Sequence, residues 1–169
     1  WKPEMYASAL PFVARMNEEA QRLGMTRTSF ANPNGLPDDR QVTTARDLAK
    51  LTRAIIIEFP EYADIFALPS VQVGKRIMRT HNRLLVSFPG ADGMKTGFIC
   101  ASGFNLVASA SRNGKRMIAV VLGAPSSPVR AAQAVVAAQR YYDNGGTMRA
   151  QRAVDAVQSA QRGFTADAG

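Results

Sequence analysis

The stretch GFNLVASASRNGKRMIAVVL, residues 103–122, decides the fold. Its apolar side chains alternate, with Phe104, Leu106, Ala108 and Ala110 on the first half and Ile118, Val120 and Leu122 on the second. A period of two marks a strand, because successive side chains leave opposite faces. Asn113-Gly114 stands between the halves. A two-residue hairpin turn needs positive φ at both central residues, which Asn and Gly accept most readily. Residues 103–111 and 116–122 are therefore expected to pair as an antiparallel hairpin.

Weaker strand signals lie upstream. Residues 94–99 read as a strand after a turn at Gly90-Ala91-Asp92-Gly93, and shorter extended segments fall at Val71 and Val73, at 77–79 and at 82–86. Downstream, Ser127 reads as an N-cap with Pro128 at the first helical position. That helix is expected to reach about Asp143, turning Ala131, Ala134, Val135 and Ala138 inward, and to end at Asn144-Gly145-Gly146. Residues 147–169 form an Ala/Gln/Arg-rich tail, weakly helical or disordered.

The N-terminal half is helical. Residues 1–11 hold two prolines and no clear period. From Phe12 a helix is expected, with Phe12, Met16, Ala20 and Leu23 on one face and Gly24 at its end. A dense turn follows at 32–39 (NPNGLPDD). Thr44 and Asp47 have capping-box spacing, so a second helix starts near Ala45 and buries Leu48, Leu51, Ile55 and Ile56. Pro60 stops it, and a short helix follows over 61–66. Hairpins rather than crossovers join the strands, so the class is α+β, an antiparallel sheet covered by helices.

At 169 residues and 46% hydrophobic content, the chain suits one domain or a piece of a larger one. No apolar run approaches the roughly 20 residues a membrane-spanning helix needs. One cysteine, Cys100, and one histidine, His81, exclude a disulfide framework, a multi-cysteine zinc site and a histidine metal cluster. No metal and no cofactor are expected. The chain starts at Trp1 without a signal peptide, which suggests a mature form or a fragment. The net charge of +8 is uneven: residues 1–70 hold 8 Lys/Arg against 9 Asp/Glu, and residues 71–169 hold 13 against 4. A basic half invites nucleic acid, an anionic membrane surface or an acidic small substrate. Its cations are scattered singly among Ala, Val and Gly, without a basic cluster or stacking aromatics, so no nucleic acid is expected.

Lys95-Thr96-Gly97 is the chemical focus. On an edge strand it offers an ammonium, a hydroxyl and a gap side by side. Lys95 could hold a carboxylate, Thr96 could hydrogen-bond it, and Gly97 would let an extended peptide lie close. Taken alone, the tripeptide reads more simply as a surface lysine beside a bulge glycine; its setting changes that reading. Residues 80–124, THNRLLVSFPGADGMKTGFICASGFNLVASASRNGKRMIAVVLGA, resemble the serine D-alanyl-D-alanine carboxypeptidases, the low-molecular-weight penicillin-binding proteins. There a G(L/M)KTG strand precedes a G-F/Y-N-L-V-A-S-A strand, a turn and an I-A-V-V strand. Upstream, FVARMNEEAQRLGMTRTSFANPNGLPD and TTARDLAKLTRAII resemble the family's preceding segments. The likeness runs from about Phe12 to about Tyr142.

The resemblance implies a β-lactamase/penicillin-binding-protein-like sheet, incomplete at its N-terminal side. Residues 1–11 are an unmatched segment, 12–146 the C-terminal portion of a transpeptidase-like domain, and 147–169 the tail. It implies acyl transfer through a serine, removing the terminal D-Ala from peptidoglycan stem peptides ending in D-Ala-D-Ala, with β-lactams as acylating ligands. It implies an extracytoplasmic, periplasmic site of action, with any membrane association through segments outside this chain. Lys95 and Thr96 would bind the terminal carboxylate beside Gly97. Arg130 aligns with a family arginine near the same pocket; otherwise it is a helix-surface charge. His81, before Asn82-Arg83-Leu84-Leu85, stands where relatives place a polar residue facing the cleft.

The sequence also departs from the family. The nucleophile motif is Ser-x-x-Lys, with Ser-x-Asn before Lys-Thr-Gly. No serine here has a lysine three positions on: Ser8 meets Pro11, Ser70 meets Val73, and Ser111 meets Gly114. Ser111-Arg112-Asn113 follows Lys-Thr-Gly and reads as turn chemistry. No catalytic residue is therefore expected in this chain; the serine and its lysine base are expected upstream. Ile99 replaces the hydroxyl that relatives often carry two places after the motif glycine. Cys100 is expected to be buried and inert, and Asp38, Asp39 and Asp92 to be solvated turn formers. Three functions follow: part of a carboxypeptidase, a non-catalytic homologue that keeps only the Lys-Thr-Gly cleft, or a basic nucleic-acid binder.

Overall fold

The computed structural model describes residues 3–146. Residues 1–2 and the 147–169 tail lie outside the described residues. The central hairpin forms as the alternation requires. Strands β4 (Gly103–Arg112) and β5 (Lys115–Ala124) pair antiparallel through the Asn113-Gly114 turn, with φ of 50° and 72°. β3 (Ala91–Ile99) adds to the far side of β4, so the sheet order is β3-β4-β5. A separate two-stranded hairpin, β1 (Ser70–Val73) with β2 (Arg76–Arg79), is exposed along both strands.

Both faces of the three-stranded sheet are covered. On one face Leu106 pairs with Val121, Ala108 with Ala119 and Ala110 with Met117. These bury against Ala134 and Ala138 of α5 (Ser127–Asp143), with Leu84 and Phe88 closing the core. Small residues on sheet and helix let the backbones approach closely, and tight packing contributes dispersion as well as burial. The core-facing set on β5 is thus Met117, Ala119 and Val121, rather than Ile118, Val120 and Leu122. Ile118 pairs with Ser109 on the opposite face, where α2 (Ala45–Glu58) lies against β5.

Helix α2 starts where its cap dictates: the Thr44 hydroxyl accepts from the Asp47 amide at 3.1 Å. It buries Asp47 and Thr52 fully; Leu48, Leu51, Ile55 and Ile56 are half-buried. A 3-10 turn (Pro60–Tyr62) and α3 (Ala63–Phe66) follow.

Several local expectations are corrected. Helix α1 spans Pro3–Arg22, beginning well before Phe12 and running through Pro11. Leu10, Pro11 and Phe12 are exposed, so no burial imposes a period there; Val13, not Phe12, is buried. Residues 82–86 are not extended: Leu84–Ser87 is a helical turn, α4, because the Asn82 carboxamide oxygen accepts the Leu84 amide at 3.2 Å. The turn before β3 runs over Phe88-Pro89-Gly90-Ala91, closed by the Ala91 amide on the Phe88 carbonyl at 3.1 Å, and residues 91–93, expected in the turn, belong to the strand; Gly90 sits inside it. The Gly90 φ is 81°, and a Cβ there would stand 2.4 Å from the Ser111 carbonyl oxygen. The α5 cap is Ser126 rather than Ser127, its hydroxyl accepting the Val129 amide at 3.3 Å.

Candidate functional site

β3 presents one paired edge and one open edge. Along the paired edge Lys95 faces Val107, Thr96 faces Leu106 and Gly97 faces Asn105. Among the described residues no strand pairs with the other edge. An edge strand with free amides and carbonyls accepts an extended peptide.

Side chains along that edge suit an anion. Lys95 is exposed, and its ammonium donates to the Thr96 carbonyl. No carboxylate lies within ion-pair distance of Lys95 among the described residues. The nearby acid Asp92 is already engaged. It accepts the buried Ser109 hydroxyl at 2.6 Å and pairs with Arg116 at 2.7 Å, so it is an internal strand-to-strand tie and not a solvated turn former. Gly97 has no internal reason to be glycine. A Cβ there would meet only the Asn105 Cβ at 3.9 Å, an ordinary contact, and its φ lies outside the left-handed region. What the missing side chain leaves is room above an exposed backbone.

The other expected residues arrive by different routes. His81 is exposed, and its carbonyl accepts Arg130 Nη2 at 3.1 Å. Arg130 is 4% exposed and is not a helix-surface charge. Its guanidinium also donates to the Asn105 carbonyl at 3.3 Å and the Ser127 hydroxyl at 3.0 Å, and lies 5.8 Å from the Phe104 ring centroid. Burial lowers its pKa from the ordinary arginine value. Arg130 thus meets the site through the His81 and Asn105 backbones rather than through solvent. Cys100 is exposed in the β3–β4 turn, against the expectation of a buried thiol.

Two residues escaped the sequence reading. Phe98 is 54% exposed beside Gly97, its ring 4.3 Å from that of Phe104. Asn82 is 2% exposed and donates to the Gly93 carbonyl at 2.9 Å. An aromatic following Lys-Thr-Gly on an edge strand could have flagged the first. Nothing local flags the second, whose partner is 11 residues away.

Among the described residues the β3 edge combines an exposed ammonium with a backbone that no strand pairs, and it holds no activated nucleophile. Among the described residues no serine hydroxyl bonds to a lysine or histidine, and no group of three or more His, Cys, Asp or Glu is placed to hold a metal. No described helix is long and apolar enough to cross a membrane.

A family model described as D-alanyl-D-alanine carboxypeptidase matches residues 4–126. The D-alanyl-D-alanine carboxypeptidase DacC of Escherichia coli (strain K12) is 42% identical over 120 residues, 70% of this chain and 30% of the relative. Among solved structures, the D-alanyl-D-alanine carboxypeptidase DacD from Francisella tularensis superposes with a TM-score of 0.70 at 32% identity, covering 74% of this chain and 43% of that one. Penicillin-binding protein D2 from Listeria monocytogenes, in its cefotaxime-bound form, gives 0.68 at 34%, covering 74% and 53%. The chain spans about a third of the length of the curated relatives it matches, 30% for DacC and for DacA of Haemophilus influenzae.

Proposed function

The chain belongs to the D-alanyl-D-alanine carboxypeptidase family, and from that premise we propose that it forms the carboxylate-binding part of a serine D-Ala-D-Ala carboxypeptidase. The observation that carries the reading is the β3 edge that no described strand pairs: an ammonium with no carboxylate partner among the described residues, a hydroxyl and a residue without a side chain, consecutive at Lys95, Thr96 and Gly97. A stem peptide laid along this edge places its terminal carboxylate at Lys95 and Thr96, with its backbone over Gly97. The scissile carbonyl then faces a serine supplied by a segment outside this chain. The serine oxygen attacks, the terminal D-Ala leaves with a proton, and water hydrolyses the acyl-enzyme. A β-lactam presents a carboxylate and a strained carbonyl in the same relation, so it acylates the same serine. His81 lies at the rim. The site of action is extracytoplasmic, with any membrane attachment made by segments outside this chain.

A second reading is a binding module without catalysis, favoured by the lack of any described serine bonded to a lysine or histidine. Both readings are tested on the chain joined to the segment that precedes it. Fluorescent penicillin should label that protein, and Lys95→Ala should lower kcat/KM on a D-Ala-D-Ala peptide about 10- to 150-fold, the worth of a charge-assisted hydrogen bond. Absence of label together with an unchanged Lys95→Ala rate would sink the enzymatic reading.

A further inference from the structure

We propose that Asn82 and Arg130 form a buried polar clamp that positions the Lys95, Thr96 and Gly97 edge against the loop carrying His81. Residues 81 and 82 are adjacent, yet each is held to a different strand. The Asn82 carboxamide donates to the Gly93 carbonyl at 2.9 Å, two residues before Lys95 on β3. Its oxygen accepts the Leu84 amide at 3.2 Å, and its own amide donates to the Thr80 hydroxyl at 3.1 Å. The carboxamide is therefore fixed at both ends in a site 2% exposed.

Arg130 takes the other strand. Its guanidinium joins the His81 carbonyl to the carbonyl of Asn105, the register partner of Gly97. Asn105 is tied in turn: its side chain accepts the Gly123 amide at 2.9 Å and donates to Ser102 Oγ at 2.9 Å and the Gly103 carbonyl at 3.0 Å. The two contacts thus bracket Lys95 and Thr96, one at Gly93 and one opposite Gly97.

The composition of the clamp argues for geometry over bulk stability. A guanidinium buried against carbonyls, with no carboxylate in reach among the described residues, carries a desolvation cost that an apolar residue would avoid. Among the described residues no protein group accepts from its Nε. What the planar fork offers is two carbonyls from different segments held in one fixed relation, which a lysine ammonium on a flexible stem does not reproduce. Binding groups displaced by about 1 Å lose much of their effect, so such a support acts on the site it frames.

The inference rests on the carboxylate-binding reading, and its test separates the two. Arg130→Lys and Asn82→Ala are made in the chain joined to its preceding segment. Amide hydrogen exchange is followed, together with kcat/KM on a D-Ala-D-Ala peptide bearing either a free or an amidated C-terminus. The expected result is at least tenfold faster exchange across residues 93–98, with 117–121 unchanged. The preference for the free acid over the amide should fall at least tenfold, the amide rate shifting less than threefold. Unchanged protection at 93–98, or a parallel loss on both peptides, overturns the clamp. An unsubstituted protein with no preference for the free acid overturns the carboxylate reading instead, while the exchange pattern still decides the clamp. Should either variant fail to fold, Asn82→Ser, which keeps a shorter donor and acceptor, carries the same expectations.

Discussion

Gly97 and Asp47 show how differently a single residue serves site and scaffold. Nothing within the chain crowds a Cβ at Gly97, so Gly97→Ala should leave the thermal midpoint unchanged or slightly higher, the gain of about 0.4–1 kcal/mol coming from a less flexible unfolded chain. The same methyl stands where a ligand backbone would lie, so penicillin labelling of the chain joined to its preceding segment should fall. A midpoint lower by several degrees would show that the glycine is structural. Asp47 belongs wholly to the scaffold. Burial raises its pKa, but hydrogen bonds from the Thr28 hydroxyl and the Arg27 amide, with Lys50 nearby, prevail and hold it below the ordinary value. A carboxyl whose folded pKa is depressed stabilises the fold above its unfolded pKa, about 4, and loses that contribution as pH falls through the folded value. Asp38, held by Arg40 at about 2, adds a like sensitivity at lower pH. Urea midpoints at pH 6 and pH 3 should therefore differ less in Asp47→Asn than in the unsubstituted chain. Equal differences would remove the assignment. His81 and Lys95 were visible as residue types, but the burial of Arg130 and the exposure of Cys100 were not, since both depend on which strands and turns lie over them.

At the scale of the element, the ends of helices and turns were written locally. Thr44 begins α2, Ser126 begins α5, and Asn113-Gly114 closes β4 onto β5. Each rests on bonds spanning three residues or fewer, or on φ values that one or two residues set. Thr44→Ala should destabilise by about 1 kcal/mol, read as a lower denaturant midpoint at constant slope. A loss below a few tenths would mean that packing of α2 on β5, rather than its cap, places the helix. The elements that escaped were those whose conformation is not imposed by their own pattern. Residues 3–11 continue α1 across Pro11 although Leu10 and Phe12 stay in solvent, despite a lost intrahelical bond. Residues 84–87 carry β-compatible apolar residues, yet the Asn82 side chain turns them into helix, with Leu84 wholly buried.

At the scale of the whole molecule, the sheet is the frame, and the β3 edge that no described strand pairs carries the proposed site. Leu106 is 2% exposed on the central strand, pairing with Thr96 on one side and Val121 on the other. Leu106→Ala should cost about 2–5 kcal/mol and loosen both at once. The 169 residues alone should form no covalent adduct with a β-lactam, because no serine in the sequence has a lysine three positions on to activate it; a stable mass increase on the isolated chain would refute this. By itself the sequence determined the α+β class, the β4–β5 hairpin, the capped start of α2 and the Lys95, Thr96 and Gly97 motif. Those follow from periods, caps and turn residues that act within a few positions, and from a colinear likeness to one family. The tertiary structure alone decided that no described strand pairs with the far edge of β3, that Asp92 is spent on Ser109 and Arg116, and that Asn82 and Arg130 bond residues 81–82 to β3 and β4. Those depend on contacts across 11 to 49 residues, whose partners are selected by sheet register and burial rather than by any local pattern.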